Sequence, residues 1–467
     1  MLAEALVFAI GFALALATPR FLRILKYYRA LSHLPRPPLN GILENLVGFP
    51  LGMMKDKNVF QWVWADMLAE LGPLVAARIF HKNASFRFNL PILLSVILSI
   101  IQNIQCRCFR VSTLFLQVLM VADPEVTTAV LSRPQLFDKR IASYKMGTKA
   151  LSRHNLVNLI TSETDSLWRS INRSIGPCFT WDNLYKMFPT VQNVWIELRN
   201  SIMATVNSFQ GDEQSDLRCF LDIDRFMTEA NFETILRLGL RYSMDTIGKG
   251  PHTRGQKFLD AMADAFKVAF VMLSKQKAES RSLFRRKKSA ALAKDEEENE
   301  IFIELWRLSE ALVEHSKSIG LSPEDPEIGG HLLSAVDPNS GKPLTDEKLA
   351  AEITILLIAG HETSSHTTSM ALGLLAMNHE ALRKVEAELD GLGLLATPSN
   401  PHPRVPSFDD LDKLKYTWQA AKEASRLFPA VYFLPRQAMK DTTVCGLPVA
   451  KGTIFVCCVG ALQRSGK

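Results

Sequence analysis

Residues 345–377 read TDEKLAAEITILLIAGHETSSHTTSMALGLLAM. Thr345 is a good N-cap, and Asp346 and Glu347 place negative charge in a first turn whose dipole favours it. No proline interrupts the run, so about 30 residues are predicted helical, against an average of about 11 or 12 in globular proteins. Its mostly apolar flanks say that the helix passes through a core. Inside it lies Ala359-Gly360-His361-Glu362-Thr363. An interior glycine costs about 1 kcal/mol against alanine, so something must offset it. Small side chains would let a flat ligand approach the backbone, and an acid beside a hydroxyl can relay protons.

His361-Glu362-Thr363-Ser364-Ser365-His366 also invites a zinc reading. Zinc needs histidines at i and i+4 on one helix face, whereas these stand at i and i+5, about 140° apart. No metal-ligand set is therefore predicted. Downstream comes Glu423-Ala424-Ser425-Arg426, with Pro429 to stop the helix that carries it. Glu423 and Arg426, three apart, face the same side. Alone the pair means nothing, because such pairs are common on surfaces. Position gives it weight. It follows the long helix by about 60 residues and precedes Arg436, Asp441 and Gly446-Leu447-Pro448-Val449-Ala450-Lys451-Gly452-Thr453.

In this order the motifs resemble the oxygen-activating helix and the Glu-x-x-Arg helix of the cytochrome P450 family. The resemblance implies a mainly α fold with a small β region, holding haem b and using O2 as co-substrate. It makes Glu362 and Thr363 the catalytic acid and hydroxyl that relay protons to bound oxygen, and places Ala359 and Gly360 beside the cofactor. Glu423 and Arg426 become a structural pair, and Arg436 a propionate-binding arginine. Trp168 to Thr180 (WRSINRSIGPCFT) resembles the helix over one haem face, so Trp168 and Arg169 are further cofactor-binding candidates. The family carries a basic residue four positions after that tryptophan, where this chain has Asn172, and its charges fall at Arg169 and Arg173.

In such enzymes a cysteine thiolate holds the iron. It sits in a Phe-x-x-Gly-x-Arg-x-Cys-x-Gly loop, which does not occur in residues 1–467. The seven cysteines are Cys106, Cys108, Cys178, Cys219, Cys445, Cys457 and Cys458. None has that setting; Cys457 and Cys458 follow an apolar β-type run and read as buried strand residues. The expectation is a chain incomplete before the ligand region. A third arginine from that region would normally complete the Glu423–Arg426 pair in a buried network.

Working toward the N-terminus, Leu116 to Ala122 and Pro73 to Phe80 read as short strands, and the resemblance pairs them. Asp123-Pro124-Glu125 then opens a helix, with Asp as N-cap and Pro at its first position. Residues 83–115 read as an atypical insert, best explained as a translated intron, since removing it restores a tight hairpin. Arg281 to Glu300 passes from a basic to an acidic block and reads as a solvated crossover.

Leu2 to Thr18 is almost wholly apolar, and Arg20, Arg23, Lys26 and Arg29 follow it. A helix of that length is roughly 25 Å long, enough to anchor in a bilayer, and positive charge on its C-terminal side puts the body in the cytosol. Residues 1–18 are thus a membrane anchor of the endoplasmic reticulum type, residues 19–40 a basic and proline-rich hinge, and residues 41–467 a monooxygenase domain. With 47% hydrophobic residues, a net charge of +6 and no basic stripe interleaved with aromatics, the chain has core enough for a large domain and no case for nucleic acid.

The function implied by the resemblance is insertion of one oxygen atom from O2 into a lipophilic small molecule, in secondary-metabolite biosynthesis. Electrons would come from a separate NADPH-dependent cytochrome P450 reductase, because no dinucleotide fingerprint is present. The alternative is a catalytically inactive truncated remnant, at most a membrane-tethered binding protein.

Overall fold

The structure, a computed structural model, describes residues 108–112, 117–139, 156–208, 221–250, 253–263 and 291–464. It forms two compact units, one built from residues 142–430 and the other from the segments before and after them. The apolar run 2–18, the hinge, the strand expected at 73–80, the apolar part of the insert and the basic block 281–290 lie outside the described residues.

The larger unit is helical. In chain order it holds α2 (Ser166–Ile175), α3 (Trp181–Ser208), α4 (Ile223–Leu240), α5 (Ala291–Ser318), α6 (Ile328–Leu333), α7 (Asp346–Met377), α8 (His379–Gly391) and α9 (Lys415–Leu427). The caps follow the local chemistry. Side chains of Asp165, Asp222, Thr345 and Asn378 accept backbone N–H groups at the starts of α2, α4, α7 and α8, each supplying a partner that the first turn lacks.

Helix α7 is the spine, as its uninterrupted pattern predicts. It packs on α4, α5 and α9. Phe232, Leu236, Leu305, Leu312, Leu332 and Leu357 are fully buried around it. Each such side chain stabilises the fold by about 1.5–3 kcal/mol relative to exposure. Helix α4 ends at Arg241 in a left-handed conformation (φ 47°), and the following loop doubles back onto it. Two buried carboxylates hold that loop. Glu233 accepts from the backbone N–H of Met244 and Thr246, and Glu229 from that of Gly248.

The smaller unit is a sheet of order β1-β2-β7-β4-β3, with a separate β5-β6 hairpin. Its strands are β1 (Cys108–Ser112), β2 (Gln117–Val121), β3 (Phe137–Asp138), β4 (Phe433–Ala438), β5 (Thr442–Val444), β6 (Leu447–Val449) and β7 (Ile454–Cys458). Helix α1 (Pro124–Leu131) follows β2, capped by the Asp123 carboxylate, and a short helix α10 (Val459–Leu462) follows β7. Strand β2 runs parallel to β7, pairing Val118 with Ile454. Phe137 meets Phe455 edge-on at 5.4 Å in the core of this unit. Cys445 and Gly446, both at positive φ, make the two-residue turn between β5 and β6.

One expectation is corrected here. The antiparallel partner of β2 is Cys108–Ser112, with Ser112 opposite Gln117, and not Pro73–Phe80. A strand has two edges, and both edges of β2 are used, by β1 and by β7. Residues 108–112 of the stretch read as an insert thus form a strand paired with β2. Among the described residues no helix is long and apolar enough to cross a membrane.

Candidate active site

The motif predicted to carry chemistry falls in the middle of α7, where the burial pattern changes. From Leu349 to Ile358 the helix is almost wholly buried, whereas Ala359, Gly360 and Thr363 are half-buried and Glu362 is exposed. The Thr363 hydroxyl donates to the Ala359 carbonyl at 2.8 Å, one turn back. Its proton is thereby committed to the helix, and the oxygen lone pairs face away from it. Such back-bonding tends to bend a helix, and it recurs at Ser365 and Thr367.

Glu362 combines two properties that rarely meet. Its side chain keeps accessible surface, yet desolvation by the surrounding protein raises its pKa. Together they describe a carboxyl projecting into a recess, reachable by small molecules with protein on most sides. Among the described residues it has no hydrogen bond or ion pair to its carboxylate. A carboxyl so placed holds a proton more readily than one in bulk water.

Gly360 has a different reason from the one expected. A β-carbon there would lie 2.7 Å from Cγ1 of Ile235, on α4. The glycine thus permits close packing of two helices, and Ile235 rather than a ligand occupies the space beside it. His361 is buried; its Nδ1 bonds the Leu357 carbonyl at 2.7 Å, and its ring meets Phe232 edge-on at 5.7 Å. Because a carbonyl only accepts, Nδ1 carries the hydrogen. Burial lowers the His361 pKa, so the ring is held neutral.

The other predicted residues separate into distinct settings. The Trp168 indole N–H donates to the Leu159 carbonyl at 2.9 Å, which corrects the expectation that this N–H serves a propionate. Arg169 is exposed on α2, as is Arg173. Glu423 and Arg426 form a two-pronged ion pair on α9, at 2.6 and 2.7 Å, with both side chains about half exposed. Without the third arginine the pair was expected to be left partly unsatisfied, and its geometry in this chain is that of a pair at the surface. Arg436, on β4 of the sheet unit, is partly buried, and one guanidinium nitrogen donates to the Pro435 carbonyl at 2.9 Å. The remaining N–H groups suit a carboxylate ligand.

The pattern of the sequence gave no sign of the buried pair at the start of α7. Lys348 donates to Glu352 at 2.7 Å and to the Val157 carbonyl, while Glu352 accepts from the Leu159 N–H at 2.9 Å. This pair ties the loop that carries the Trp168 contact to α7. Its i,i+4 spacing was the only signal, and exposed pairs share that spacing.

The residues present fit a haem in part. Within the helical unit, the partly open strip from Ala359 to Thr363, with its small residues, suits the approach of a flat group. Three of the described cysteines do not suit its iron: burial pushes the thiols of Cys178 and Cys457 up to about 11, and Cys458 donates to the Val456 carbonyl. A thiolate ligand is therefore assigned to none of them.

Comparison with known proteins adds an independent line. The family model described as Cytochrome P450 matches residues 92–467. A bifunctional cytochrome P450/NADPH–P450 reductase of Bacillus cereus is 25% identical over 74% of this chain and 29% of its own length. Cytochrome P450 monooxygenase 124 of Postia placenta is 24% identical over 71% of this chain and 60% of its own length. Cyclooctat-9-en-7-ol 5-monooxygenase of Streptomyces melanosporofaciens is 31% identical over 29% of this chain and 28% of its own length. The chain thus spans less than two thirds of the length of each of these relatives.

Proposed function

We propose that this chain, which belongs to the cytochrome P450 family, serves as a monooxygenase that inserts one oxygen atom of O2 into a lipophilic small molecule. The second oxygen atom leaves as water, with two electrons and two protons supplied from outside. Bound through a cysteine thiolate, haem b would supply the iron that binds and reduces O2. The protein's own part is positional and protonic. Ala359 keeps the middle of α7 low where a flat group must approach, and Arg436 would hold a propionate. Glu362 stores a proton at its carboxyl, and Thr363 offers lone pairs to a donor because its own proton is bound to Ala359.

The observation that carries this reading is the desolvated carboxyl of Glu362, unpaired among the described residues, next to the back-bonded hydroxyl of Thr363. Neither a packing role nor a surface role needs that combination. The fused reductase of the Bacillus relative supports an NADPH-dependent flavoprotein as the electron donor. The largely hydrocarbon alcohol, cyclooctat-9-en-7-ol, in the name of the Streptomyces relative supports a lipophilic substrate. Attachment to the endoplasmic reticulum through residues 1–18 completes the proposal, resting on the apolar run and the basic residues after it.

The test is expression with added haem, followed by the ferrous–carbonyl difference spectrum. The long-wavelength band of thiolate ligation supports the reading. A protein that retains no haem overturns it in favour of a catalytically inactive, membrane-tethered binding protein.

A further inference from the structure

Three polar groups on α7 share one stripe. Taking about 100° per residue, His366 lies about 40° and Ser369 about 20° from the direction of Glu362. Their spacing of four and then three residues makes each a neighbour of the next along the helix surface. Each has a polar atom without a partner among the described residues. His366 Nε2 and Ser369 Oγ are buried with no hydrogen bond, and the Glu362 carboxylate has none among the described residues.

The rest of the helix shows how unusual this is. Thr354, Thr363, Ser365, Thr367 and Thr368 each donate to the carbonyl four residues back, so hydroxyls on α7 ordinarily satisfy themselves. Ser369 does not. Buried polar atoms without partners are costly, and in native proteins they are usually met by ordered water.

We infer that Glu362, His366 and Ser369, bridged by ordered water, form a proton-entry path that recharges Glu362 from the side of α7 facing the start of α4. The inference rests on the reading of Glu362 as the acid that delivers protons. His366 is a relay residue and touches no reacting atom. Asp224, exposed at the start of α4, acts electrostatically on the His366 ring, and the backbone of Phe428, just past α9, hydrogen-bonds to it. Solvent thus has a charged mouth at Asp224. Burial lowers the His366 pKa against these two opposing influences, which favours the neutral ring. With its other ring nitrogen bonded to the Phe428 backbone, the neutral imidazole takes up and releases the proton at Nε2, and Asp224 offsets the charge it carries in between. No bond other than O–H and N–H is made or broken.

The test needs no turnover. The infrared C=O band of protonated Glu362 is identified as the band lost in Glu362→Gln, and its deuterium-exchange rate is followed after transfer to D2O. His366→Phe and Ser369→Ala should each slow that exchange about tenfold or more, a modest share of what a positioned proton carrier contributes. His366→Gln, which keeps a polar end, should recover part of the rate. Ser365→Ala, which removes a self-satisfied hydroxyl off the stripe, should leave it unchanged. Equal exchange in wild type, His366→Phe and Ser369→Ala overturns the inference. So does the absence of any protonated-carboxyl band that Glu362→Gln removes. Because exchange is read without substrate or redox partner, a failed monooxygenase assignment and a failed proton path give different results.

Discussion

Ile235 fills the space beside Gly360: a β-carbon added to that glycine would lie 2.7 Å from Cγ1 and 2.9 Å from Cδ1 of the isoleucine. Two helices far apart in sequence thus approach at the point where α7 turns from wholly buried to partly open.

Gly360→Ala should therefore destabilise the protein. Overpacking costs about 1–3 kcal/mol, and the alanine's better helix propensity returns about 1 of it. The expected net loss is about 1 kcal/mol. Adding Ile235→Ala to this variant should cost less than Ile235→Ala does in the wild type, because the added methyl then has room. Urea denaturation of the four proteins measures the coupling, and strict additivity would contradict the packing explanation.

Glu362→Gln should stabilise the protein at neutral pH. The folded-state pKa of Glu362 is raised by desolvation. Below the unfolded carboxyl pKa, about 4.3, both states are protonated and the carboxyl costs nothing. As pH rises through the folded pKa, the folded state must ionise in an unfavourable setting, and stability is lost. The melting-temperature gain of Glu362→Gln should accordingly be larger at pH 7 than at pH 4, as thermal scans across that range would show.

Lys348→Met should cost about 3–5 kcal/mol, since it leaves a buried carboxylate at Glu352 without its cation. It also frees the loop at Val157 and Leu159. Lys348→Met combined with Glu352→Leu should be milder than the single change, because no charge is then left stranded. Equilibrium unfolding distinguishes the two.

Arg426→Ala should leave the melting temperature of this chain nearly unchanged. The pair with Glu423 stands about half exposed and in water of high dielectric. A large fall in thermal stability would show that the pair is part of a buried network after all.

Much of the fold was legible because its determinants are local. The Thr345 cap, the acids after it and the unbroken run describe the start of α7 and its length of about 30 residues. Asp123 and Pro124 announce α1, Pro429 lies two residues beyond α9, and the turn at Cys445-Gly446 closes a hairpin as its glycine suggests. The candidate acid and hydroxyl were legible too, by resemblance of a short motif. What Glu423 and Arg426 face was not, since a spacing of three says which side of a helix they share and nothing about what covers it.

The sequence by itself determined where α1 and α7 begin and where α9 stops, because caps and prolines act on atoms within one turn. It also determined the family, because a few chemistry-bearing residues recur in a set order. Only the tertiary structure decided that Gly360 serves Ile235, that β2 pairs with Cys108–Ser112, that Trp168 donates to Leu159, and that His366 Nε2 and Ser369 Oγ are buried without hydrogen bonds. These depend on which surfaces meet. In a close-packed interior that is settled by the shape and polarity of whatever lies across the contact, which for Gly360 is a helix more than a hundred residues earlier and which no local pattern records.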